Sequence, residues 1–302
     1  MDFAGMYNTQ GMLFLILLLG LLLRKINIIT DAGEKFLTDM VLYVTLPASI
    51  LKSFQMELSE ELMRSCMQIF LLTVLLLFFS FFVGKLAFRF LPPEKRKIME
   101  YASIVSNAGI LGNPVVEGIF GSLGLMYASI YTIPLRLYMW SFGLMCFTKA
   151  PDIRTLVKKT CTHPCILAAV LGLLILGFQI QLPELLALTI RNIAGANTFL
   201  SMTLVGTILA SIPLGSIADR TALYYSAIRL VFLPLCALFL CRAAGCETTA
   251  MGVIVTLTGM PAGSTTAVLA EKYGCDAVLA TKCVVLSTVF SMISVPLWCV
   301  VL

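Results

Sequence analysis

The sequence predicts an all-α polytopic membrane protein. Ten transmembrane helices would form two inverted five-helix repeats, with helices 4 and 9 broken at proline and crossed. Three observations predict this. The chain of 302 residues is 59% hydrophobic and 12% charged, with a mean hydropathy of +0.97, where soluble domains carry about 25% charged residues. Its apolar residues run in continuous stretches of membrane-crossing length, about 20 residues each, which excludes the alternating pattern of an outer-membrane barrel. A Gly-x-Pro triplet interrupts one such stretch in each half: Gly112-Asn113-Pro114 and Gly259-Met260-Pro261. Proline removes a helical hydrogen bond and clashes with the preceding turn. Backbone freed at membrane depth is tolerated only against protein or a water-filled cavity. Paired interruptions in corresponding places are therefore the sequence mark of a secondary transporter's binding site.

The ten spans run, in order, Gly11–Ile29, Lys35–Phe54, Ser65–Leu91, Met99–Phe120, Leu123–Phe147, His163–Ile180, Pro183–Ile212, Arg220–Ala244, Thr248–Ala270 and Tyr273–Leu302. The connections are short and polar, so the chain reads as a single membrane domain over 1–302. The segment before the first span has no basic stretch and no small-residue cleavage site after the apolar run, so that span reads as a retained helix. Cations gather after odd-numbered helices: Arg24, Lys25, Lys85, Arg89, Lys95, Arg96, Lys97, Lys149, Arg154, Lys158, Lys159, Arg220 and Lys272. The other side carries Lys52, Arg64 and Arg242 beside Glu57, Glu60 and Glu61. Positive loops face the cytoplasm, which puts both termini outside the cell membrane. Five spans per half then invert one half against the other, with repeats over 11–147 and 163–302. Each half has a glycine-bearing turn after its break, Gly121 and Gly274.

Where two half-helices meet, the N-terminal end of one presents unpaired N–H groups and about half a positive charge. An anion is the natural occupant of such a place. Ser106, Asn107 and Asn113 surround the first break; Thr256, Thr258, Ser264, Thr265 and Thr266 surround the second. These neutral groups donate to a carboxylate without burying a cation, or they satisfy loosened backbone. Arg136, Arg229 and Lys282 lie within the spans, where charge is costly and faces a bundle interior or a watery cavity. Glu117, one turn past Pro114, reads as a proton acceptor or as an ion-pair partner, for instance of Arg136. Pro47, Pro134, Pro234 and Pro296 read as kinks.

Other classes find little support. The ten cysteines follow no metal spacing. Cys161-Thr162-His163-Pro164-Cys165 offers three ligands where structural zinc usually takes four. No metal or other cofactor is implied. With one histidine and no P-loop, neither a histidine-based catalytic constellation nor ATP hydrolysis is expected. The cations set topology and do not suggest nucleic acid.

Several stretches carry a resemblance. They are Leu46-Pro47-Ala48 with Ile50-Leu51, then Asn107-Ala108-Gly109-Ile110-Leu111-Gly112-Asn113-Pro114 with Phe120-Gly121. The most specific runs from Pro261 through Ala270-Glu271-Lys272-Tyr273-Gly274 to Val284-Val285-Leu286-Ser287-Thr288 and Pro296-Leu297-Trp298. Over essentially its whole length the chain resembles the auxin efflux carrier family, which includes plant PIN-type auxin exporters and bacterial malate permeases. The resemblance implies a scaffold of helices 1, 2, 6 and 7 and a transport domain of helices 3–5 and 8–10, dimerising through the scaffold. It implies helices that cross at Pro114 and Pro261, and a carboxylate-binding asparagine seven residues before the first proline, a spacing Asn107 meets. This chain has only a short loop after helix 5, unlike the long-looped plant members. The same architecture resembles the sodium-coupled bile acid symporters, so the fold does not name a coupling ion.

Together these readings lead to the expectation of an elevator-like carrier of small mono- or dicarboxylates, coupled to H+ or Na+. Its substrate-binding residues would be Asn107, Asn113, Pro114, Pro261, Ser264 and Thr265. Glu117, Arg136, Arg229 and Lys282 would serve coupling or electrostatics. A cation/proton antiporter would want a carboxylate pair at the crossing; a channel-like receptor on the same fold would show far higher conductance.

Overall fold

The structure is a computed structural model that describes residues 3–140, 142–147, 162–210 and 219–301. Lys149, Arg154, Lys158, Lys159 and Cys161, used above for orientation or as possible ligands, lie outside the described residues. The fold is helical, and the described residues form no strand beyond one isolated bridge. In chain order the helices are α1 (Phe3–Lys25), α2 (Asp31–Met40), α3 (Leu46–Ser53), α4 (Glu60–Ala87), α5 (Pro93–Ile104), α6 (Asn113–Trp140), α7 (Phe142–Met145), α8 (Pro164–Gly177), α9 (Glu184–Gly195), α10 (Asn197–Ala210), α11 (Arg220–Ala227), α12 (Leu233–Ala243), α13 (Thr248–Thr258), α14 (Thr265–Lys272) and α15 (Ala277–Val301). Among the described residues, six helical stretches are long and apolar enough to cross a membrane, and α8 and α13 are shorter apolar helices. This is a multi-pass membrane protein.

Local chemistry sets the ends. Thr30, His163 and Asp219 accept hydrogen bonds from first-turn N–H groups of α2, α8 and α11, the ordinary remedy for orphan donors. His163 is thus engaged as a helix cap. Gly121 and Gly274 have φ of 65° and 66°, a left-handed conformation that glycine adopts without a Cβ clash. The first turns the chain inside α6, the second after α14. The basic run Lys95-Arg96-Lys97 is in the first turns of α5, not in a loop. There Lys95 pairs with Asp276 at 3.5 Å and Arg96 with Glu100 at 3.6 Å.

Prolines reshape the helices in a consistent way. Wide π-turns cover Val41–Thr45, Ala108–Gly112 and Ile228–Phe232, each ending two residues before a proline: Pro47, Pro114 and Pro234. A proline ring crowds the carbonyl four residues back and offers it no donor. Widening the turn relieves the crowding, with Leu46 N–H bonded to Val41 O and Leu233 N–H to Ile228 O. Pro134 and Pro296 lie inside helices that continue through them.

Two compact units organise the chain. The first comprises residues 3–66, 109–130 and 162–210. In it α1 packs along α10, and α3 against α8 and α9. A Cβ on Gly20 would fall 2.2 Å from Thr203 O, and one on Gly206 1.9 Å from Leu17 O. The glycines therefore let two backbones touch, as small residues do at membrane helix seams. Buried polar groups add to this: Thr45 Oγ1 donates to Asn197 Oδ1 at 3.1 Å, and Ser49 Oγ to Ala194 O at 3.2 Å.

The second unit comprises residues 67–108, 131–140, 142–147 and 219–301. Its α15 packs against α11 and α14, and α12 against α13. Both of its chain breaks are here, one after α5 and one after α13.

Candidate functional site

The centre of the second unit is a crossing of two extended segments. The chain leaves α5 at Val105, which is extended (φ −87°, ψ 103°). It leaves α13 at Gly259–Met260 and re-enters helix at α14. Ser106 and Ala262 face each other in an antiparallel bridge. Asn107 N–H donates to Pro261 O at 2.8 Å, and Gly263 N–H to Val105 O at 3.0 Å. Bonds flanking the pair make it non-hydrogen-bonded, the closer type of antiparallel pair. Gly263 permits the approach, since a Cβ there would meet Val105 Cγ1 and Thr265 Oγ1 at 3.3 Å and Ser106 O at 3.4 Å.

This corrects the expected position of the first break. The residues that leave helix are Val105–Asn107; Gly112-Asn113-Pro114 does not. Pro114 stands in the first turn of α6, where a missing N–H is cheap, and the π-turn before it relieves the ring. The two Gly-x-Pro triplets therefore do different things, and only the second is a chain break.

Broken helices leave carbonyls without donors, and the second unit satisfies them with buried side chains. Arg229, 2% exposed, projects from the π-turn and donates through Nε to Met260 O at 2.9 Å and through Nη1 to Ser103 O at 2.7 Å. One guanidinium thus binds the C-terminal ends of both broken helices, where helix dipoles favour a cation. Tyr225 Oη donates to Ala102 O at 2.8 Å, Ser106 Oγ to Leu257 O at 3.4 Å, and Ala262 N–H to Ser287 Oγ at 3.1 Å. The carbonyl that Pro234 deprives of a donor, Leu230 O, receives Trp298 Nε1–H at 2.7 Å.

Around the crossing some polar groups are engaged and some are not. Thr258 Oγ1 meets Tyr131 Oη, and Thr265 Oγ1 meets Tyr101 Oη, both at 3.1 Å. The Asn107 side chain, half-buried, makes no hydrogen bond among the described residues. Thr256 Oγ1 and Thr266 Oγ1 are buried without a partner. At the start of α14, Ser264 caps without a side-chain bond, and the N–H groups of Ser264 and Thr265 donate to no carbonyl among the described residues. Arg136 is buried and Lys282 half-buried in this unit.

Asn113, Pro114 and Glu117 belong to the first unit. Asn113 is fully buried, and neither its Oδ1 nor its Nδ2 has a partner. Glu117 Oε1 lies 3.2 Å from Lys52 Nζ, and its Oε2 is buried without a partner. The ion-pair partner of Glu117 is Lys52 rather than Arg136; Lys52, a cation of the outer side in the sequence, is in the last turn of α3. Sequence reasoning also missed Tyr101, Tyr131, Tyr225 and Trp298. Their one sequence signal is a hydroxyl or indole N–H inside an apolar span, where a buried donor needs a partner.

A helical membrane protein whose broken helices cross as extended chain, with unengaged donors beside the crossing, has the kind of interruption found at transporter binding sites. A profile described as "Membrane transport protein" matches residues 11–159 and 152–299. The chain is 29% identical over 312 residues to an uncharacterized transporter of Methanothermobacter thermautotrophicus, covering 100% of both chains. It is 22% identical over 298 residues to an uncharacterized transporter of Methanocaldococcus jannaschii, covering 94% of each. The chain belongs to this membrane transport family, the auxin efflux carrier type, and is a transporter rather than an enzyme.

Proposed function

We propose that the protein is a secondary active carrier of small organic anions, mono- or dicarboxylates, that holds the carboxylate beside the Val105–Asn107 and Pro261–Gly263 crossing. One observation carries this reading: a polar amide, Asn107, and the free N–H groups that open α14 border the same two-bond crossing, with no acidic group among the residues that build it. Asn107, Ser264 and Thr265 bind the carboxylate, and Pro261 shapes the turn. Asn113 and Pro114 are further substrate-side candidates, Asn113 because its buried amide is unpartnered. Glu117 is the candidate for H+ or Na+ coupling, and Arg136 and Lys282 for electrostatic attraction of the anion.

Ten spans in two inverted repeats, both termini outside the cell membrane, an elevator-like movement and a homodimer complete the proposal. α1–α3 and α8–α10, the expected scaffold, fall in one unit, which favours this reading, but that unit also holds residues 109–130 from the expected transport helices 4 and 5. Uptake of a carboxylate panel, malate included, into liposomes under separate proton and sodium gradients tests it. Asn107→Ala should cut flux at least about tenfold with an unchanged unfolding temperature, because a neutral hydrogen bond contributes about 1 kcal/mol and a substrate carboxylate rather more, and its backbone bond to Pro261 survives. Undiminished carboxylate flux in that variant overturns the assignment. Sodium or proton exchange without carboxylate flux moves it to a cation antiporter.

A further inference from the structure

A groove of about 580 Å3 opens on the second unit. One wall is the end of α4, with Val83 and Leu86, and the turn after it, with Arg89; the other is Tyr224, Ile228 and Phe232, from α11 and the π-turn after it. Leu86, Tyr224 and Phe232 expose 67%, 45% and 45% of their surface there. Tyr224 to Phe232 spans about 12 Å of helix at 1.5 Å per residue, so the walls border an apolar slot of roughly that length.

Its charge lies at one end. Arg89 is exposed and makes no side-chain hydrogen bond or ion pair among the described residues. Lys85, one turn earlier, has its ammonium 5.4 Å from the Phe81 ring centre, and Arg220, one turn before Tyr224, is exposed and also unpaired among the described residues. The nearest acid in sequence, Asp219, spends its carboxylate on the Thr221 and Ala222 N–H groups. An apolar slot with an unpaired arginine in its lining, and further cations one turn away along each helix, is complementary to one molecular shape: an acyl body with an anionic head. A soluble anion has no use for the slot, and a zwitterionic head cancels the attraction.

We propose that this groove is a binding site for an anionic phospholipid of the surrounding leaflet, its phosphate against Arg89 and an acyl chain along Leu86, Ile228 and Phe232. Ile228 and Phe232 are the first and last residues of the π-turn that aims Arg229 at Met260 O and Ser103 O. The seated chain backs that turn from outside, so the lipid steadies the crossing; this consequence for transport rests on the carrier reading, whereas the binding does not.

Native mass spectrometry of the purified protein, titrated with phosphatidylglycerol or with phosphatidylcholine of the same chains, tests the site. One phosphatidylglycerol should be retained with about fivefold preference per engaged cation. Arg89→Gln should reduce that preference by about the same factor, and Val83→Trp, which fills the slot while leaving Arg89 in place, should abolish retention. Glycerol phosphate should not compete. Equal retention of the two lipids, or a preference that survives both substitutions, overturns the site. In liposomes, phosphatidylglycerol should raise uptake by the wild type but not by Val83→Trp. Specific retention with uptake indifferent to the lipid would keep the site and remove its link to Arg229.

Discussion

Pro261 and Pro234 lie in the same unit, and the chain treats them in opposite ways. At Pro261 it abandons helix, extends, and takes its hydrogen bonds from a segment in the other half of the sequence. At Pro234 it stays helical, widens by one residue, and borrows a single donor from Trp298. The partner segment makes the difference. Val105–Asn107 breaks without any proline because Pro261 O and Gly263 N–H are there to receive it, whereas Pro114 and Pro47 have helical solutions and keep them. A proline marks a place where a helix must change; whether it breaks depends on what else can satisfy the backbone.

Arg229 joins the two cases, since it projects from the widened turn and binds the carbonyls of the broken ends. Arg229→Met should therefore have the largest effect. It leaves two buried carbonyls without donors, and bonds to charged groups contribute about 1.5–3 kcal/mol each, so a loss of about 3 kcal/mol or more is expected in denaturant unfolding in detergent. Arg229→Lys, able to reach one carbonyl, should recover part of it. If Arg229→Met unfolds like the wild type, the carbonyls have other donors and the crossing does not depend on the widened turn.

Trp298→Phe should come next, at about 1–2 kcal/mol for the orphaned Leu230 carbonyl. In a Pro234→Ala background the backbone regains its own N–H, so the same substitution should cost clearly less. A double-mutant cycle that finds the two changes additive would mean that Trp298 is not compensating for the proline. The smallest effect belongs to the surface of α5: Lys95→Ala, which removes a half-exposed pair with Asp276, should shift stability by under about 1 kcal/mol. A larger loss would show that the helix entering the crossing is held from its far end as well.

Much of this was legible in the residues. Composition and run length specify a membrane protein, Gly121 and Gly274 turn where the sequence marks them, Gly259–Pro261 breaks, and Asn107 borders the crossing. What could not be read has a common physical cause, which is contact between residues distant in the chain. Nothing local at Val105-Ser106 forbids helix; its extended form exists because Ala262 lies opposite. Arg229 read as a charge awaiting an anion because the carbonyls that occupy it belong to α5 and Met260. Lys52 reads only as a cation of the outer side because only the fold carries it to Glu117. The Gly-x-Pro triplets looked equivalent because a motif records a capacity to bend, not the form the bend takes.

The hydroxyl of Ser106 finds its acceptor on Leu257, 151 residues further along, and Asn107 N–H waits for Pro261. During synthesis, the first broken helix therefore enters the membrane well before its partners exist, and its freed donors and acceptors must be met by water, lipid headgroups or the insertion machinery until the last third of the chain arrives. The feature that makes the crossing also dates it: its two segments cannot meet until the last third of the chain has been made.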